Sequence, residues 1–105
     1  MSRVGTRGYS GEVDVRNDAQ RSRYELTIDG RVVGIADYEA RGSVVVFPHT
    51  EIVSELRGRG LGAHLVRHAL DDVRARGGKV EARCWYVAEF IREHPEYREL
   101  VARPA

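Results

Sequence analysis

The sequence predicts a mixed α/β domain: an antiparallel meander, then a β-α-β unit, then a short C-terminal helix. Three observations predict it. Stretches alternating with period two fill the first half and break at Asp29-Gly30 and Arg41-Gly42. A glycine turn, Arg57-Gly58-Arg59-Gly60-Leu61-Gly62, then leads into apolar residues at helical spacing. Beyond the Gly77-Gly78 stop, Lys79 to Cys84 again reads as a strand.

The elements follow in order. Glu12 to Val15 alternates and makes a short strand, and Asn17 to Gln20 is a polar break. Tyr24 to Ile28 is the next strand. Asp29-Gly30 is the strongest short hairpin signal, with Val32 to Tyr38 returning from it. Ser43 to Phe47 is β-branched and aromatic, and Thr50 to Leu56 extends that strand or begins another. Leu61, Leu65, Val66, Ala69, Leu70 and Val73 form one face of a helix, with Arg67, Asp71, Asp72, Arg74 and Arg76 opposite. Asp72 and Arg76 stand in the favourable acid-first i,i+4 order. Tyr86 to Glu93 is a short helix, and Pro95 opens a last turn over Glu96 to Val101. A strand, turn, helix and strand in this order make two parallel strands with a right-handed crossover.

Composition bounds the function. A chain of 105 residues is one domain. Residues 1–11, rich in Gly, Ser and Arg, are expected to be flexible, and residues 12–105 to form the domain. With 17 basic residues against 16 acidic ones, the net charge of +1 argues against a dedicated nucleic-acid binder. Only Lys79 among the basic residues is lysine, a skew attributed to base composition. The longest apolar run is five residues, Cys84 to Ala88, too short to span a bilayer. No secretory signal is visible at the N-terminus and one cysteine forms no internal disulfide, so a cytoplasmic location is expected.

The glycine turn carries the chemistry. Glycine turns tightly and lets a ligand approach the backbone. The unpaired amides of the following helical turn, with the helix dipole, suit a phosphate. Arg57 and Arg59 add charge. A Walker loop is excluded, since no Lys-Ser or Lys-Thr pair occurs. A dinucleotide fingerprint is excluded by spacing one residue short and by the strands preceding it. A ligand-free αβ connection stays open, as does a general phosphate or nucleotide site.

Arg57-Gly58-Arg59-Gly60-Leu61-Gly62 resembles motif A of the GNAT N-acetyltransferases, Arg/Gln-x-x-Gly-x-Gly/Ala. The order of meander, glycine turn, helix, strand and short helix is also the order of the GNAT core. His49-Thr50-Glu51-Ile52, Cys84 to Ile91 and His94-Pro95-Glu96-Tyr97 are similar to stretches of the minimal, single-domain YidJ-like acetyltransferases. The resemblance spans about residues 12–101. The two helices that larger GNAT proteins place between their first strands have no room here.

The resemblance implies a mixed α/β GNAT-like fold whose parallel strand pair is splayed. It implies acetyl-coenzyme A (acetyl-CoA) as cofactor, with pyrophosphate on Arg57, Gly58, Arg59, Gly60, Leu61, Gly62 and Ala63, and pantetheine on the backbone of Ile52 and Val53. The implied function is transfer of acetyl to an amine, small or protein-borne. The alternative is a coenzyme A or acyl-coenzyme A binding module with little or no turnover. No nucleic acid, membrane or metal is implied, and a monomer or weak dimer is expected.

Acyl transfer needs a neutral amine, a polarised carbonyl and a protonated leaving thiolate. Cys84, at the end of the strand after the helix, is the candidate nucleophile or proton donor, and it also suits packing as a small hydrophobe. His49 is the candidate base. Many protein-acetylating GNATs place a glutamate on this strand, and Phe47 lies two positions from His49. Alternation puts Phe47, His49 and Glu51 on one face, with His49 ~10 Å from Ile52 and acting through water. His64 and His68 read as solvated. Tyr86 and Tyr97 are further proton-donor candidates that also suit helix packing.

Overall fold

The computed structural model describes residues 12–103. The flexible segment expected at residues 1–11 lies outside the described residues. Five strands form one sheet in the order β1 (Val13–Asp18), β2 (Arg23–Ile28), β3 (Arg31–Arg41), β4 (Val44–Ile52) and β5 (Lys79–Ala82). The first four pair antiparallel and β5 joins β4 in parallel. Helix α1 (Leu61–Ala75) links β4 to β5, and α2 (Trp85–Glu93) leads into a 3-10 segment, Pro95–Leu100. A parallel bridge from Val80 to Val101 carries the sheet one step further. The architecture is the mixed α/β fold that the sequence predicts.

Several boundaries differ. β1 runs through Asn17 and Asp18, expected as a break, because both pair with β2. Thr50 to Ile52 extends the fourth strand. β5 stops at Ala82, and Cys84 is the N-cap of α2, which starts at Trp85. The stop has a visible cause: the amides of Arg83 and Cys84 both donate to the Phe47 carbonyl, at 3.1 and 2.8 Å. The chain turns on that one oxygen and leaves the ladder.

The apolar face of α1 is buried at Leu65, Val66, Ala69, Leu70 and Val73, against Val13, Leu26, Ala36, Phe47 and Val80 from all five strands. Polar ties fix the helix as well. The Tyr24 hydroxyl donates to Asp72 at 2.6 Å, and Arg76 pairs with the same carboxylate at 3.1 Å. The Tyr97 hydroxyl donates to Asp71 at 2.7 Å. Tyr97 is a buried residue packed against α1.

Among the described residues no helix is long and apolar enough to cross a membrane, and no group of three or more His, Cys, Asp or Glu side chains is placed to hold a metal ion.

Candidate active site

A bulge in β4 sets the geometry of the site. Asp37 pairs with His49 but Glu39 pairs with Val46, so two steps along β3 span three along β4. One extra residue inverts the alternation beyond it. Phe47 faces the helices, its ring tilted against those of Tyr24 and Tyr38 at centroid distances of 6.2 and 6.3 Å. Three residues on, Thr50 is back on that face, opposite the buried Ala36. Ile52 follows, its Cδ1 lying 2.5 Å from where a Cβ on Gly34 would sit.

His49 and Glu51 therefore point to the face of the sheet opposite α1, and the expectation that they share a face with Phe47 is corrected. Both are exposed, with His49 Nε2 3.1 Å from Glu51 Oε1. Pro48 was the available signal, since proline inside a strand marks an edge or a bulge.

The backbone of β4 follows from the same register. The Val53 amide donates to the Val33 carbonyl at 2.9 Å. In an antiparallel ladder hydrogen-bonded pairs alternate with non-bonded ones, so the peptide groups of Ile52 and Thr50 face away from β3. They face the side that β5 has left, since its pairing with β4 ends at Phe47 and Ala82. The Val53 amide is taken by Val33, and the Val53 carbonyl accepts from the Leu56 amide at 3.0 Å. The Ile52 carbonyl accepts from Arg57 Nε at 3.2 Å, which holds that guanidinium against the strand end.

The turn then enters α1. Gly58 and Gly60 have φ of +80° and +79°, the left-handed region that glycine favours. Gly60 is the N-cap and, having no side chain, leaves the first-turn amides without a side-chain partner. No acidic residue stands in that turn. Over it lies Tyr86, whose hydroxyl is 2.7 Å from where a Cβ on Gly62 would sit. Burial, and secondarily the Glu93 carboxylate, push the Tyr86 phenol above its usual pKa, so it holds its proton at neutral pH.

Together these elements line a cleft of about 500 Å³, walled by His49 to Ile52, Leu56 to Gly58, Gly60 to Gly62, and Tyr86. Four consecutive residues of β4 line it, so the cleft follows the edge of β4 that β5 has left. Cys84 is half-buried beside it and reaches it through Thr50, its thiol lying 3.6 Å from Thr50 Oγ1. Thr50 was missed in the sequence because only the bulge turns it inward. His64 is pushed below its usual pKa by burial and by His68, whose ring centroid lies 6.4 Å away.

Residues 23–100 match the family described as GCN5-related N-acetyl-transferase. The chain belongs to this family, the GNAT acetyltransferases. Protein NATD1 from Mus musculus is 33% identical over 88 residues, covering 81% of this chain and 79% of that one. Protein NATD1 from Xenopus tropicalis is 30% identical over 89 residues, covering 82% and 81%. Among solved structures, a GCN5-like protein from Staphylococcus aureus shares the GNAT fold with a TM-score of 0.67 at 16% identity, covering 88% of this chain and 90% of that one. The ribosomal-protein-S18-alanine N-acetyltransferase from Escherichia coli gives 0.60 at 17%, covering 73% and 54%. The family and these relatives support an N-acetyltransferase-like role for the chain.

Proposed function

We propose that the protein is an acetyl-CoA-dependent N-acetyltransferase that passes the acetyl group directly to an amine. The observation that carries this reading is the cleft itself: it joins an uncapped helix N-terminus to the open edge of β4.

The residues present fit coenzyme A. Uncapped first-turn amides, glycines at positive φ, the guanidinium of Arg57 and the absence of an acid suit a pyrophosphate. Gly58, Gly60, Leu61, Gly62 and Ala63 would hold it, with Arg57 and Arg59 supplying charge. The outward peptide groups of Thr50 and the outward amide of Ile52, whose carbonyl already accepts from Arg57, would hold the pantetheine arm, in place of Val53. The cofactor supplies the activated thioester.

The chain's own residues supply the rest. Tyr86 is protonated at neutral pH, lines the cleft and is the donor placed to return a proton to the leaving thiolate. Cys84 does not line the cleft, and it acts by holding Thr50 Oγ1. His49, oriented by Glu51 on the sheet face opposite α1, takes the proton of the incoming amine through water.

A coenzyme A binding module without turnover is the second reading, favoured by the short link between β1 and β2, which leaves no helices to wall an amine site. Two assays separate them. Coenzyme A should raise the melting temperature under either. Amine-dependent thiol release from acetyl-CoA occurs only under the first, and its absence across a broad amine panel would leave the second.

A further inference from the structure

A second cavity, of about 280 Å³, lies at the other end of α1 from the glycine turn. The 15 residues of the helix, about 22 Å long, separate the two, and they share no lining residue. Turns without side chains leave this cavity open. A Cβ at Gly42, between β3 and β4, or at Gly77, just past α1, would meet nothing within 4 Å. The two turns touch at Gly78, where a Cβ would lie 3.0 Å from the Ser43 carbonyl oxygen.

One wall is aromatic. Tyr24 and Tyr38 stand with ring centroids 5.4 Å apart. Both hydroxyl protons are committed: Tyr24 donates to Asp72, and Tyr38 donates to Asn17 Oδ1 at 2.8 Å. Those bonds hold the rings in place and leave their faces as the contact for a ligand.

The polar groups that remain carry protons to give. Asn17 Nδ2, the Ser43 hydroxyl and the terminal nitrogens of Arg76 have no partner among the described residues. No acidic side chain is among the described residues that line the cavity. Asp72 stands behind it, its carboxylate held by Tyr24 and by Arg76 Nε. The last carbonyls of α1, which would repel an anion, are covered: Asp72, Val73 and Arg74 accept from the amides of Arg76, Gly77 and Gly78. A guest that covers the free donors must bring acceptors or leave them unpaired. A cation would meet Arg76. Drug-sized ligands fill ~300–1,000 Å³, so this cavity suits a smaller molecule of one or two rings.

We propose that this cavity is a binding site for a small aromatic carboxylate, its ring against Tyr24 and Tyr38 and its carboxylate on Arg76, Asn17 and Ser43. The two terminal nitrogens of a guanidinium match the two oxygens of a carboxylate, and the ring gains from the tyrosines beyond the area it buries. The site needs no cofactor and stands apart from the acetyltransferase reading.

Phenylacetate tests it. Titrated into isotope-labelled protein, it should move the amide signals of Gly42, Gly77 and Gly78 saturably at millimolar concentration and leave those of Gly58, Gly60 and Gly62 in place. Acetate has the charge without the ring, and 2-phenylacetamide has the ring without the charge. Each should need about tenfold more to reach its midpoint, and 2-phenylethylamine should cause no saturable shift. Asn17→Asp keeps the acceptor for Tyr38 and replaces a donor by a negative charge, so it should abolish the phenylacetate shifts. Arg76→Gln, at an exposed position, should keep the fold and raise the midpoint about tenfold. No saturation, an equal midpoint for phenylacetate and its amide, shifts centred on Gly58 to Gly62, or an unchanged midpoint in either variant would overturn the proposal.

Discussion

Gly62 and Tyr86 are in contact so close that neither tolerates a larger neighbour. A Cβ at Gly62 would meet the phenol oxygen at 2.7 Å and Cζ at 3.0 Å. Both distances are below ordinary van der Waals contact, so Gly62→Ala must displace the ring. Alanine gains about 1 kcal/mol of helix propensity, while overpacking costs ~1–3 kcal/mol. The net loss is about 0–2 kcal/mol, a protein still folded by circular dichroism. Thiol release should nevertheless fall at least tenfold, because the donor has moved. Normal turnover in this variant would contradict the role given to Tyr86.

Tyr86→Phe removes the donor without disturbing the packing. General acid catalysis by one group contributes typically 10²- to 10⁴-fold, so kcat should fall by about 10²-fold with coenzyme A affinity retained. The pH profile carries the sign. Tyr86 is shifted upward, so its acid form persists through neutral pH and is lost only above its ordinary value of 10.0. An alkaline limb of kcat that falls well below pH 10.0 would contradict Tyr86 as the donor.

Cys84→Ala tests the thiol directly. Its Sγ contacts Thr50 Oγ1, and its backbone, which the substitution keeps, holds the turn to Phe47. Activity should drop only several-fold, with no acetylated enzyme detected by mass spectrometry. A loss of about 10³-fold would restore Cys84 as the reacting group.

Tyr24 gives a stability prediction far from the cleft. Burial first, and then its bond to Asp72, push its pKa well above the ordinary 10.0. The folded state keeps this proton at pH values where the unfolded chain has lost it. The contribution is therefore fully present below pH ~10 and declines as pH rises further. Tyr24→Phe should lose about 1–3 kcal/mol in urea unfolding at pH 7, through the bond to a charged acceptor. Its stability should also fall less steeply above pH 10 than that of the unaltered protein.

The sheet and α1 were legible because local signals and tertiary packing agree. Asp29-Gly30 marks the hairpin, and six apolar residues from Leu61 to Val73 mark the buried face of α1. The glycine turn was legible because only glycine suits φ near +80° at Gly58 and Gly60. The bulge near Pro48 was not, since a register shift is settled by pairing with β3 rather than within β4. That one residue moved His49 to the far face and Thr50 into the cleft. Cys84 was placed one element too early for a similar reason. Its capping position depends on the Phe47 carbonyl, and no pattern within Lys79 to Cys84 announces that bond.

Amide NMR with coenzyme A tests the account most directly. In a protein of 105 residues each backbone N–H can be followed singly. Titration should move the amides of Thr50, Ile52, Gly58, Gly60, Leu61, Gly62 and Ala63 most, with Tyr86 following and Val53 less affected because its N–H stays bound to Val33. Shifts centred on Gly77 and Gly78 at the other end of α1, or none at millimolar coenzyme A, would contradict the assignment of the cleft.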